Sequence, residues 1–226
     1  MHKWTAIWLM LLLAAGSAEA KGQYPARMAP LEQYRMASRA DEIALARSAA
    51  PPSISSDADV LVLGDHGYET AAKGRNGFVC LVWRSWASGF GDPEFWNTKI
   101  RSPVCLNAAA ARTVLPSTLE RTQWALAGLS EAEMISRAKT SEKANMVPAP
   151  GSMCFMMSRK GHLSDAARHW HPHLMFFTPR TPPADWGANL SGSPVLAFAG
   201  GPEPVTVFLV PVAKWSDGTP APMEMH

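Results

Sequence analysis

The densest run of chemically capable side chains is His169-Trp170-His171-Pro172-His173, leading into Leu174-Met175-Phe176-Phe177. In an extended chain the side chains alternate faces, so all three histidines would share one side and Trp170 and Pro172 the other. Same-face neighbours lie ~6.7 Å apart at a rise of ~3.3 Å per residue. Two imidazoles at that spacing can close on one ion through bonds of ~2.0–2.1 Å. The outer pair, ~13 Å apart, cannot share one, so His171 with either His169 or His173 is the chelating pair. Further ligands would come from His66, Asp65 and Glu69 near the first hairpin turn, or from His162 and Asp165 just upstream. Imidazole suits zinc or copper, and Cys154 with Met156 on the preceding strand would add a set suited to copper.

A plainer reading competes with the metal. Pro172 cannot donate to a ladder, which predicts an edge or a bulge, where histidines commonly bond loop carbonyls or touch a substrate. Methionines on an apolar strand usually fill a core. Other chemistries find less support. The chain has no Gly-x-Ser-x-Gly elbow, no His-Glu-x-x-His, no phosphate loop before a helix and no Cys-x-x-Cys-His. A Cys154 thiolate with His171 or His173 as base is conceivable but has no local signature. Asn189-Leu190-Ser191 is a glycosylation sequon.

The elements that would position these residues follow from periodicity and punctuation. Leu31 to Ala50 has helix-forming composition, as one helix or two short ones, and Pro51-Pro52 stops it. Strands are predicted at Asp59–Leu63, Tyr68–Lys73 and Phe78–Arg84, with Asn76-Gly77 as a hairpin turn between the last two. Ser85 to Pro103 reads as an irregular excursion whose Trp86, Phe90, Phe95 and Trp96 pack back on the body. Asn107 to Ala144 is helical: Asn107 caps its start, Pro116 kinks or restarts it, Gly128 closes a piece, and Ser130 with Glu133 has capping-box spacing. After a linker at 145–151 come strands at Met153–Ser158, His169–Phe177, Val195–Ala199 and Val205–Val212. The order predicts an α+β fold, a mainly antiparallel sheet with helices packed on one face. One domain over 21–226 is the expected organisation; a break near 145–151 would make two.

Residues 1–20 have the three parts of a cleavable secretory signal peptide: Met1-His2-Lys3, the apolar run Trp4 to Gly16, and Ser17-Ala18-Glu19-Ala20. The apolar run is shorter than the ~20 residues of a membrane span, and no later segment is long enough. The expected location is therefore periplasmic or secreted. Export favours disulfides, and three cysteines allow at most one internal bridge. Cys80 and Cys105 flank a loop-like stretch and form the leading pair, with the other two pairings and an all-thiol chain left open. A formal net charge of +2 without a Lys/Arg cluster argues against nucleic acid as a partner.

The order Gly74-Arg75-Asn76-Gly77-Phe78-Val79-Cys80, then Ser102-Pro103-Val104-Cys105, then His171-Pro172-His173-Leu174-Met175 resembles a group of uncharacterised exported bacterial proteins. The resemblance covers about half the mature chain. It implies the same fold and the Cys80–Cys105 pairing, and no activity. Two functions are carried forward. The first is a non-catalytic exported module that contacts a small ligand or an envelope protein through the histidine strand and the aromatics Trp86, Trp96 and Trp170. The second is a metal-binding protein or metal-dependent hydrolase using His169, His171 and His173, with His66 as a further ligand.

Overall fold

In a computed structural model of the chain, residues 24–166, 170–199 and 201–222 are described. The signal-like segment and His169 lie outside the described residues. The first elements are a 3-10 turn, Leu31–Tyr34, and helix α1, Arg39–Arg47, capped by Ser38, whose side chain accepts from Asp41 N. Pro52 then opens a short α2, Pro52–Ser55, rather than only ending what precedes it. The strands are β1 (Asp59–Gly64), β2 (Gly67–Ala72), β3 (Val79–Trp83), β4 (Ser102–Leu106), β5 (Met153–Met156), β6 (His173–Pro179), β7 (Leu196–Phe198) and β8 (Val205–Pro211). Between β4 and β5 run α3 (Ala108–Thr113), α4 (Leu115–Leu126) and α5 (Glu131–Ala138).

All eight strands form one sheet in the order β2-β1-β3-β4-β5-β6-β8-β7. Only β1 and β3 run parallel; the other neighbours are antiparallel. This is the expected α+β class with a mainly antiparallel sheet. The helices, however, divide between both faces rather than gathering on one. α1 packs against Val60, Cys80, Val82 and Cys105, whereas α3 and the start of α4 pack against Leu81, Val104 and Leu106. Alternation along β3 and β4 makes these opposite faces.

Two further expectations change. The Asn76-Gly77 turn does not make a β2–β3 hairpin, because β1 lies between those strands. Asp57 O accepts from Arg75 N and Asn76 N, and a Cβ at Gly74 would collide with the Asp57 backbone. The loop is thus drawn across the start of β1, and β3 is laid on the far side. The supposed irregular stretch also ends in a strand. β4 includes Pro103, which is tolerated because β5 pairs only with Cys105 and Leu106 and leaves β4 one-sided at the proline.

The helical caps follow the sequence. Asn107 accepts from Ala110 N at 2.9 Å and its amide donates to Gly151 O at 2.8 Å, tying the start of α3 to the approach of β5. Ser130 and Glu133 form a reciprocal capping box on α5. Cys80 and Cys105 are directly opposed across β3 and β4, with Cα atoms 4.0 Å apart, and are joined as a disulfide; Cys154 is free and buried. No helix among the described residues is long and apolar enough to cross a membrane.

Candidate functional site

From Trp170 onward the histidine run is not one strand. β6 begins only at His173, and His171 and Pro172 precede it; Pro172 O accepts from Val212 N and continues the contact with β8. Nor is this an edge. β6 lies between β5 and β8, and the sheet's edges are β2 and β7. The proline is accommodated because it stands before the ladder rather than in it.

His173 is 5 % exposed. Its Nδ1 lies 2.8 Å from His171 O, and since a carbonyl can only accept, Nδ1 carries the proton and donates. Nε2 is then the unprotonated acceptor. Burial disfavours the charged ring and pushes its pKa down to about 4, against the opposing pull of the His171 carbonyl. His173 is therefore a neutral imidazole at physiological pH.

The expected pairing of β5 with the histidine strand is present: Met156 opposes His173, and Cys154 opposes Met175. Cys154 nevertheless sits in the core with Leu106 and Phe177, and burial drives its thiol far above the usual range. It is a neutral filler there, not a nucleophile or a ready thiolate ligand. His66 stands on the β1–β2 turn, where its carbonyl accepts from Gln123. Four strand spacings, ~19 Å, separate β1 from β6, so His66 and His173 cannot hold one ion. His162 and Asp165 instead pair with each other at 2.8 Å, and Asp165 also accepts from Tyr24 and Lys99. Among the described residues no three His, Cys, Asp or Glu side chains converge as a metal site.

The aromatic candidates are mostly interior. Trp86 is fully buried, packs tilted against Tyr34 and donates its indole N–H to Thr122. Trp96 is 4 % exposed and meets Phe95 edge-on, with part of its surface on a small cleft beside Tyr24. Trp170 packs edge-on against His173 and Trp215. The excursion from Trp86 to Trp96 does fold back on the body, but as core, which leaves Trp86 no surface to offer a ligand.

What the fold does build is a cleft of about 860 Å³ on the α3–α4 face of the sheet. The helices cover β3 and β4 and stop short of β6, β8 and β7. Register then fixes the floor: Met175, Phe177, Leu209, Val207 and Val205 all project from that same face. One wall is the start of α4 with the loop at residues 87–92; another is the stretch carrying Met146 and Pro148.

The charges in these walls are paired internally. Arg121 donates twice to Glu203 Oε1, donates to Ser88 O at 2.7 Å, and lies 4.0 Å over the Phe90 ring. Glu203 belongs to the β7–β8 connection, which Arg180 also holds through Gly201 O and Glu203 O. Arg84, 1 % exposed, donates to Glu42 at 2.8 Å and to the carbonyls of Tyr34 and Val82. Asp92, at the rim, accepts from Glu94 N.

Burial grades along the cleft. At one end stand Trp83, Ser102, Met156 and His173, of which the last three are 9 % exposed or less. At the other, Met146 is 37 % and Phe198 59 % exposed. The sequence reading found His173 but not Arg121, Glu203, Trp83 or Ser102. The alternation Val205-Val207-Leu209 signals an apolar face; nothing local shows that no helix covers it. No protein-family model, no curated protein and no solved structure matches this chain.

Proposed function

We propose that this chain is an exported, non-catalytic binding module that takes a small, largely apolar molecule into the cleft over β6, β8 and β7. The observation that carries the reading is an apolar sheet face left uncovered and walled into a cleft of about 860 Å³. That lies within the ~300–1,000 Å³ typical of small-molecule sites, which are mostly apolar with a few placed polar groups. Export rests on the signal-like residues 1–20, and the Cys80–Cys105 bridge is compatible with an oxidising compartment. The metal reading has no comparable support among the described residues.

The test uses N-phenyl-1-naphthylamine, an uncharged apolar dye that brightens out of water. Wild-type protein should give saturable enhancement, and Val207→Trp, which fills the floor, should lose it while keeping a cooperative unfolding transition. Absence of saturable enhancement, or equal enhancement in a folded Val207→Trp protein, would overturn the proposal.

A further inference from the structure

Resting on that reading, we propose that the cleft selects uncharged amphiphiles: molecules with an apolar body and a hydroxyl or amide head, bound with the head at the deep end beside His173, Ser102 and Trp83.

The orientation follows from the burial gradient. The exposed end presents Phe198 and Met146, and the floor between is Val205, Val207, Leu209 and Met175, all apolar. Three polar side chains with an unused hydrogen-bonding atom, Trp83, Ser102 and His173, line the more buried end. The Trp83 indole N–H is buried with no acceptor. Ser102 opposes Trp83 directly across β3 and β4, and both line the cleft. His173 lines the same end, and with Nδ1–H committed to His171 O its remaining hydrogen-bonding atom is the acceptor Nε2. A buried polar group without a partner costs about 1–3 kcal/mol, so a head that both donates and accepts gains most there.

The preference against charge follows from what the deep end lacks. Arg84 also borders it, but its charge is paired with Glu42 and its other two guanidinium nitrogens donate to Tyr34 O and Val82 O. Arg121 and Glu203 neutralise each other further along. Asp92 stands at the rim, where water screens it. An ionised head drawn inward would lose its hydration and meet no free counter-charge, and an unpaired buried ion is far costlier than a neutral hydroxyl. A carboxylate and an ammonium are both disfavoured, for the same reason.

The experiment displaces bound N-phenyl-1-naphthylamine at pH 7.5 with decanol, decanoate and decylamine, which share one chain length. Decanol should displace the dye at a concentration lower than either ion requires by about tenfold or more, the factor that ~1.4 kcal/mol gives. Ser102→Ala, which removes only a hydroxyl, and Trp83→Phe, which removes the indole N–H together with part of the ring, should each weaken decanol several-fold more than they weaken the dye. His173→Gln serves as a third variant if it folds. Equal displacement by the three probes, or a preference for either ion, would overturn the selectivity while the dye still binds. Failure of the dye to bind would overturn the underlying reading as well.

Discussion

The wall of the cleft depends on a buried ion pair, and breaking it should have a large, specific effect. Arg84 and Glu42 are 1 % and 3 % exposed. Glu42 accepts from Arg84 Nη2 at 2.8 Å and from Leu63 N at 3.1 Å, while Arg84 Nε donates to Tyr34 O at 2.7 Å. Glu42→Ala strands a guanidinium in the interior, a change that costs about 3–5 kcal/mol, and removes the acceptor of the Leu63 amide. Against a total stability of about 5–15 kcal/mol, much of the margin would go. The double variant Glu42→Ala, Arg84→Met removes both charges and should be less destabilised than the sum of Glu42→Ala and Arg84→Met alone, by about 2–3 kcal/mol. It will not recover fully, because the carbonyls of Tyr34 and Val82 lose their donor. Since Arg84 O also accepts from Ala87 N at the start of the 85–92 wall, dye binding should fall with the single variants. Urea unfolding of the four proteins measures the cycle. A loss below about 1 kcal/mol for Glu42→Ala, or strict additivity, would refute the reasoning.

The remaining expectations concern the cysteines and pH. The Cys80–Cys105 bridge spans 25 positions, so Cys80→Ala with Cys105→Ala should lower stability by about 3.5 kcal/mol on chain entropy, read as a shift in the urea midpoint. Cys154 should resist iodoacetamide in the native protein and react once urea unfolds it, because burial holds its thiol neutral; mass spectrometry of the labelled peptide decides. His173 sits near pKa 4 when folded, against about 6.5 for a free histidine. The unfolded chain therefore binds the proton more readily between those values. Stability should be full above about pH 6.5 and fall by about 3 kcal/mol as pH drops towards 4, and His173→Phe should flatten that slope. Glu94, whose desolvation is outweighed by hydrogen bonds that hold it at about 2, and Asp165, held at about 2 chiefly by Lys99, contribute stability that is lost as pH falls from the ordinary carboxylate range towards 2. An unchanged slope in a folded His173→Phe protein would contradict the assignment.

Much of the fold was legible because local chemistry decided it. The caps at Asn107 and Ser130 satisfy backbone donors within three residues, so spacing alone reveals them. Apolar, β-branched runs bounded by turn residues located β1, β3 and β8 to within one residue at each boundary. The failures were non-local. Asn76-Gly77 has hairpin chemistry, yet Asp57 accepts from that loop and diverts it across β1. Ser85 to Pro103 read as irregular, yet Ser102 and Pro103 open β4, where the shortness of β5 makes room for the proline. For the site, spacing overweighted the three histidines: the ladder of β6 begins only at His173, whose ring is committed to His171 O. The cleft itself arises from where α3 and α4 end relative to β6 and β8, which no run of residues states. Arg121 and Glu203 meet across 82 positions.

Occupation of this cleft by an uncharged amphiphile can be read residue by residue through methionine methyl NMR. Met146, Met156 and Met175 line the cleft. Met36 packs beneath α1, Met134 lies in the aromatic core, and Met153 projects from the opposite face beside Phe176. With [13C]methyl-methionine protein titrated with decanol, Met146, Met156 and Met175 should show saturable shifts, with Met36, Met134 and Met153 unmoved. Stationary resonances at the three cleft methyls, or shifts confined to Met36 and Met153, would contradict it.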